Sequence, residues 1–196
     1  MAGDTSSSKT QLRREFRQLR SSLSPAQRRR AAARIALRLS QAPCFRRARY
    51  VAIYLPCGSE LDTAPLQRLC LAQGKQVYVP KMLEGSRMRF EHLPAGTTLR
   101  RNQHGIAEPA NRRLQRTLRR MDLVVLPLTA FDLQGHRLGA GGGYYDRALA
   151  FRRSFRKPWL VGYAYALQQA VALPAESWDV RLDAVVTERR LHLFRP

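Results

Sequence analysis

The apolar positions of the first forty residues recur at intervals of three and four. Leu12, Phe16 and Leu19 make one stripe, which predicts an amphipathic helix from about Lys9 to Arg20, after a small, polar and frayed stretch from Met1 to Ser8. Lys9, Arg13 and Arg17 stand four apart, so they share a face that presents several cations to one anion. A second stripe is made by Ala31, Ile35 and Leu39. Its start is marked by Ser24-Pro25-Ala26-Gln27, with a side-chain acceptor at the N-cap, proline at N1 and glutamine at N3. That arrangement predicts a second helix running to about Ser40.

From Tyr50 onward the stripes give way to short apolar runs. Tyr50 to Leu55, ending at Pro56-Cys57-Gly58, reads as a buried strand. Asp62 to about Ala72 suits a helix ended by Gly74, and Gln76 to Val79 a strand, which completes a βαβ unit. Arg87 to Leu93 alternates as a strand does, whereas Pro94 to Asn111 is broken by Gly and Pro and reads mostly as loop. Beyond it come a core strand at Leu123 to Leu126, a helix from Tyr144 to Phe155, a strand at Trp159 to Tyr163, a short helix from Leu167 to Leu173 and a last strand at Ala184 to Thr187. The sum is one Rossmann-like, three-layer α/β/α domain over residues 9–196, with a central, largely parallel or mixed sheet. In such sheets ligands gather beyond the carboxyl ends of the strands. That singles out the loops that begin at Pro56, Pro80 and Pro127.

Charge narrows the class of partner. The 35 Lys and Arg residues against 14 acids give a formal net charge of +21, an excess that draws phosphates, polyglutamylated small molecules or nucleic acid without choosing among them. Arg28, Arg29, Arg30, Arg34 and Arg38 read as the solvated surface of the second helix, the rival reading being contact with a nucleic-acid backbone. No zinc-finger spacing accompanies them, so nucleic acid is not the expected partner. Cys44, Cys57 and Cys70 lie 13 apart with no CxxC pair, which reads as free thiols in a reducing cytoplasm. His104 and His136 lack partners at metal-ligand spacing, and His92 and His192 read as peripheral. No apolar run approaches membrane-spanning length. The expected state is a cytoplasmic monomer.

The chemistry concentrates in Gly139-Ala140-Gly141-Gly142-Gly143, directly before a predicted helix. Glycines let backbone amides approach phosphate oxygens, the helix amino terminus favours the anion, and Arg137 adds a full charge. A tight structural turn is the alternative. The stretch lacks the lysine and hydroxyl residue that end a P-loop, and it stands too late in the chain for the usual dinucleotide fingerprint.

Taken whole, Phe131-Asp132, Gly135, Arg137-Leu138-Gly139, Gly141 and Gly143-Tyr144-Tyr145-Asp146-Arg147 closely resemble the signature of the 5-formyltetrahydrofolate cyclo-ligases, also called methenyltetrahydrofolate synthetases. The resemblance extends from Lys9 and Leu12-Arg13 through Glu60, Gly105-Ile106 and Glu108-Pro109 to Asp183 and Glu188. It implies ATP-dependent cyclisation of 5-formyltetrahydrofolate to 5,10-methenyltetrahydrofolate, with magnesium and with release of ADP and phosphate. Lys9, Arg13, Arg137, Gly139, Gly141, Gly143, Tyr145 and Asp146 match nucleotide positions, and Glu60 and Tyr144 match positions around the folate. Arg137, Tyr144 and Glu60 are then the catalytic candidates.

Several of these residues keep a plainer alternative. Glu60 is otherwise a solvent carboxylate and Tyr144 a core anchor. Asp146 orients magnesium or a loop amide, or only caps the helix. Met82 and Met88 wall a folate pocket or simply pack the core. The resemblance names no magnesium ligand. Gly142 stands where some relatives have lysine, and Trp178 precedes Asp179 where histidine is common. Those departures leave open a noncatalytic folate-binding homologue, beside the basic nucleic-acid-binding α/β protein.

Overall fold

A computed structural model describes residues 2–84, 87–102, 105, 107–110 and 114–194. His104 and Ile106 lie outside the described residues. The first helix, α1 (Ala2–Ser21), begins ahead of Lys9. α2 (Pro25–Gln41) starts as its sequence directs: the Ser24 side chain accepts from the Gln27 amide, and the Gln27 side chain accepts from the Ser24 amide at 2.8 Å. A single turn, α3 (Pro43–Arg46), leads to β1 (Tyr50–Ala52). The strand ends three residues before Leu55 because side chains take over the backbone groups: Thr63 Oγ1 donates to the Tyr54 carbonyl at 2.8 Å, and Tyr54 Oη donates to the Leu61 carbonyl at 2.7 Å. α4 (Ala64–Ala72) begins after Asp62, whose carboxylate accepts from the Ala64 amide at 2.9 Å.

The central sheet has eight strands. To β1 are added β2 (Gln76–Leu83), β3 (Arg87–His92), β6 (Gln115–Arg116), β7 (Leu123–Leu126), β10 (Trp159–Tyr163), β11 (Ala184–Val186) and β12 (Leu191–Leu193), in the order β12-β11-β10-β7-β1-β2-β3-β6. The five inner strands β2, β1, β7, β10 and β11 run parallel, while β12, β3 and β6 pair antiparallel at the edges. Counted by themselves the parallel strands follow the doubly wound order 2-1-3-4-5, which reverses direction between β1 and β7. The stretch expected to be loop carries a small ladder of β4 (Leu99–Arg101) and β5 (Ala107–Pro109). Ahead of the glycines, β8 (Ala130–Phe131) and β9 (Arg137–Leu138) form a hairpin.

Alternation along the strands builds two cores. Leu123 and Val125 of β7 face α2 and α4, joining Ile35, Leu39, Leu66 and Cys70, while Val124 and Leu126 face Tyr78, Phe90, Leu149 and Leu182 on the other side. α5 is shorter than expected, Tyr144–Ala148, and passes into a tighter turn over Ala150–Arg153. There Arg152 is held by the carboxylate of Asp183 at 2.7 and 2.8 Å, a tertiary bond that outweighs helix continuation. α1 lies across the end of the sheet, with Leu12 and Phe16 packed against Ala130, Leu138 and Leu173.

Candidate active site

The loops after β1 and β7 and the carboxyl end of β2 meet α1, the glycine stretch and α5 around a cavity of about 380 Å³. Its walls include Cys57, Glu60, Pro80, Met82, Pro127 and Thr129, so the crevice lies at the carboxyl ends of the strands where their order reverses. Of the three loops singled out by their prolines, those at Pro56 and Pro127 contribute, whereas Pro80 does not start a loop: β2 continues to Leu83, with Pro80 paired to Phe90, and it lines the cavity with Pro80 and Met82 from the strand itself. Of the sequence candidates, Glu60, Arg137, Gly139, Gly143, Tyr144, Tyr145 and Asp146 line this one space, and Met82 and Met88 stand in its wall.

The glycine stretch is a clasped turn. Gly141 has φ +115° and Gly143 +64°, conformations that side-chain-bearing residues rarely adopt. A Cβ on Gly142 would come within 2.9 Å of the Tyr144 ring, so glycine there is what lets that ring line the cavity. Arg137, before the stretch, donates to Asp146, after it, at 2.5 Å. Gly143 caps α5 without a side-chain hydrogen bond, so Asp146 is the partner of Arg137 and not the helix cap. Arg137 Nε is buried with no hydrogen-bond partner. An orphaned cationic N–H beside a glycine-rich turn is a group to which an anion remains to be supplied.

The basic face of α1 is spread over this turn. Arg13 Nε donates to the Gly139 carbonyl at 3.1 Å, and Arg17 Nη2 to the Ala140 carbonyl at 2.8 Å. Gly141 lies beside the same face, since a Cβ built there would be 3.7 Å from Arg13 Nε. Lys9 does not line the cavity. It pairs with Asp179 at 3.3 Å and Glu176 at 3.5 Å, next to the exposed Trp178.

One more rung, Arg20, did not emerge from the sequence. It is buried, donates to Ser59 Oγ at 3.0 Å and lines the cavity with Arg17. The available signal was its place three residues beyond Arg17, on the same helical face. Two of the α2 arginines are fixed within the molecule. Arg28 donates to the Leu23 and Ser21 carbonyls at 3.0 Å each, and Arg38 to the Glu188 carbonyl at 3.4 Å.

Burial dominates the titration of the cavity groups. It lifts the Glu60 carboxyl above the usual carboxylate range, against the opposing pull of the Cys57 amide, 3.0 Å away, and of Arg20 and Arg17. Burial raises Tyr145 as well, reinforced by Glu60 and opposed by Arg137. Desolvation lowers Arg20, with Glu60 as the main opposing charge. Glu60, Tyr145 and Arg137 therefore form one electrostatically coupled wall. Asp132, fully buried, accepts from the Gln134, His136 and Leu173 amides and lies 2.9 Å from His136 Nδ1. Asp132 and His136 thus fix the hairpin ahead of the glycines. Among the described residues no group of three or more His, Cys, Asp or Glu side chains is placed to hold a metal ion.

A doubly wound sheet with its crevice at the strand reversal, lined by a basic helix face and a glycine turn, defines the class as an α/β protein with a cationic crevice at the carboxyl ends of its strands. Comparison with known proteins gives the family. The model of the 5-formyltetrahydrofolate cyclo-ligase family matches residues 5–188. The chain is 37% identical over 179 residues to the 5-formyltetrahydrofolate cyclo-ligase of Escherichia coli, covering 90% of this chain and 98% of that one. It is 35% identical to the Haemophilus influenzae protein of the same name, covering 88% and 93%. The solved Aquifex aeolicus 5,10-methenyltetrahydrofolate synthetase superposes with a TM-score of 0.83 at 34% identity, covering 96% of this chain and 93% of that one. The chain belongs to the 5-formyltetrahydrofolate cyclo-ligase family.

Proposed function

We propose that this chain closes the ring of 5-formyltetrahydrofolate to 5,10-methenyltetrahydrofolate at the expense of ATP, releasing ADP and phosphate, in the cavity at the end of β1, β2 and β7. The observation that carries the reading is that one cavity takes both sets of residues: Glu60 and Tyr144 on the folate side, Arg137 and the glycine turn on the nucleotide side.

The chemistry sets the geometry required. A formyl oxygen bound as an amide is a poor leaving group. Transfer of the terminal phosphoryl group to that oxygen breaks its bond to ADP and makes the formyl carbon electrophilic. N10 attacks this carbon and loses its proton, and phosphate departs with the former formyl oxygen. Catalysis is then alignment and charge stabilisation. Gly139, Gly141 and Gly143 let backbone amides approach the phosphates. Arg137 supplies its free Nε, and Arg13 and Arg17 keep the turn in place from α1. Glu60 hydrogen-bonds the pterin, Tyr144 covers its ring and Tyr145 fills the wall between Glu60 and Arg137. Lys9, held by Asp179 and Glu176, marks the outer end of the nucleotide path.

The donor set fits a magnesium ion that arrives on the nucleotide. Magnesium binds through substrate phosphates, waters and one or two carboxylates, and Asp146 is a carboxylate on the nucleotide side. When bound, the ion offsets charge on the phosphates. Purified chain mixed with magnesium ATP and 5-formyltetrahydrofolate is expected to form the methenyl chromophore only when nucleotide is present. A folded preparation that forms none would overturn the assignment.

A further inference from the structure

Arg20 has no task in the proposed reaction, although it stands in the wall of the cavity. It belongs to the last turn of α1, where the carbonyl end of a helix favours a cation, and it is only 8% exposed. Its hydrogen-bond partners are neutral: Nε donates to Ser59 Oγ at 3.0 Å and Nη1 to the Leu128 carbonyl at 3.5 Å. Among the described residues no carboxylate forms an ion pair with it. A buried charge held by neutral groups alone costs stability. Burial accordingly lowers Arg20, and the largest influence opposing that loss is the charge of Glu60.

The bonds of Arg20 converge on the loop that carries Glu60. Ser59, its partner, is the preceding residue, and the Ser21 hydroxyl reaches the same Ser59 Oγ at 3.4 Å. The loop closes on itself: the Glu60 amide donates to the Cys57 carbonyl at 3.1 Å, and the Cys57 amide donates to Glu60 Oε2 at 3.0 Å. This turn fixes the carboxylate within the loop, and Arg20 fixes the loop against α1 and against the loop after β7.

Arg20 is also the foremost full charge acting on Glu60. Burial pushes the Glu60 carboxyl up, while the Cys57 amide, then Arg20, then Arg17 pull it down. Tyr54 and Tyr145 face the carboxylate as phenols that burial itself raises, and Arg137 and Asp146, paired with each other, complete the charged wall. A pterin presents N–H donors along its aminopyrimidinone edge. An ionised carboxylate accepts from them with both oxygens, whereas a protonated one gives up part of that capacity.

Resting on the cyclo-ligase reading, we infer that Arg20 is the positioning residue of Glu60: through Ser59 it sets where the carboxylate stands against the pterin, and within the cavity it supplies the counter-charge for the form that accepts the pterin N–H groups.

The test measures the KM for 5-formyltetrahydrofolate and for ATP across pH in wild type, Arg20→Gln and Arg20→Lys, beside a carboxyl-carbon NMR titration of Glu60 in the same proteins without ligand. Removing the opposite charge is expected to move the Glu60 titration up by about one pH unit. Because only the ionised fraction is competent, the folate KM of Arg20→Gln is expected to stand about tenfold above wild type in acid and to fall toward it as pH rises. Its ATP KM is expected to hold. Arg20→Lys keeps the charge and loses the fork, and is expected to return the titration to its wild-type position. In a Glu60→Gln background, Arg20→Gln is expected to add no pH-dependent change.

A Glu60 titration unmoved by Arg20→Gln, or a folate KM raised by one factor at every pH, would make Arg20 a structural brace and overturn the proposal. Wild type that turned over no formylfolate would count against the cyclo-ligase reading itself, and the NMR titration would still decide the link from Arg20 to Glu60. Should Arg20→Gln not fold, Ser59→Ala severs the loop from the arginine; it is expected to raise the folate KM about fivefold, with the ATP KM unchanged. An unchanged folate KM in Ser59→Ala would overturn the proposal.

Discussion

Arg137 and Asp146 stand at opposite ends of the glycine turn and are joined at 2.5 Å, with the arginine side chain 3% exposed and the aspartate 28%. The bond fixes the spacing of the turn's two ends and aims a guanidinium, whose Nε has no partner, beside it. On the proposed reading, nucleotide affinity and local stability are coupled through this one ion pair.

Asp146→Asn is expected to lower both. Breaking a fully buried pair costs roughly 3–5 kcal/mol, and the partial exposure of Asp146 places the loss below that range. Thermal unfolding is expected to shift down, and the KM for ATP to rise about tenfold or more while the KM for the folate changes little. An unchanged ATP affinity in a folded variant would mean that the pair is structural only.

Gly141→Val addresses the turn itself. With φ at +115°, valine is strained by roughly 1–3 kcal/mol, although the nearest side-chain atom to a new Cβ, Arg13 Nε, is 3.7 Å away. The expected result is a modestly destabilised, folded protein with weakened ATP binding and turnover. Circular dichroism, unfolding and ATP titration on one preparation separate the two effects, and unchanged ATP binding and turnover would contradict a phosphate-cradling role.

Arg13 and Lys9 are expected to differ, although they share a helix face. Arg13 is bonded to the turn at Gly139, whereas Lys9 is already engaged by Asp179 and Glu176. Arg13→Gln should raise the KM for ATP by about tenfold, and Lys9→Gln by less. Equal effects across salt concentrations would show that the face acts only as diffuse charge.

Glu60→Gln tests the folate side and carries a pH signature. Because burial raises the folded-state carboxyl, the neutral form is favoured in the fold. Its stabilisation is complete below the unfolded carboxyl pKa and is lost as pH rises through the raised value. Gln never ionises, so the variant is expected to be at least as stable as wild type at neutral pH, with the gap closing in acid, while its use of formylfolate falls about a hundredfold and its ATP affinity holds. Wild-type folate turnover in the variant would remove Glu60 from the site.

Much of this was legible before any coordinates. The Ser24 to Gln27 capping box, the strand Trp159 to Tyr163 and the loops marked by Pro56 and Pro127 are local signals, and each appears where its residues place it, whereas Pro80 falls inside β2, which its antiparallel pairing with β3 extends to Leu83. The composite pattern around the glycines located the cavity because it specifies side chains that only the fold brings together. What escaped depends on distant partners. β4 is three exposed residues with no alternation, held by β5 alone. β12 is specified by its pairing with β11. The break in α5 at Leu149 precedes the bond from Arg152 to Asp183, 31 residues away. Arg20 looked like one more surface arginine on a basic helix until packing of α1 against the loops after β1 and β7 buried it.

The central claim is that ATP drives ring closure by taking the formyl oxygen. It is tested most directly by following that oxygen. With 5-formyltetrahydrofolate carrying a heavy-oxygen label in the formyl group, one turnover with magnesium ATP should yield one methenyl product, one ADP and inorganic phosphate bearing the label, as read by mass spectrometry of the phosphate. Methenyl product accompanied by unlabelled phosphate, or formed equally well without nucleotide, would contradict the account.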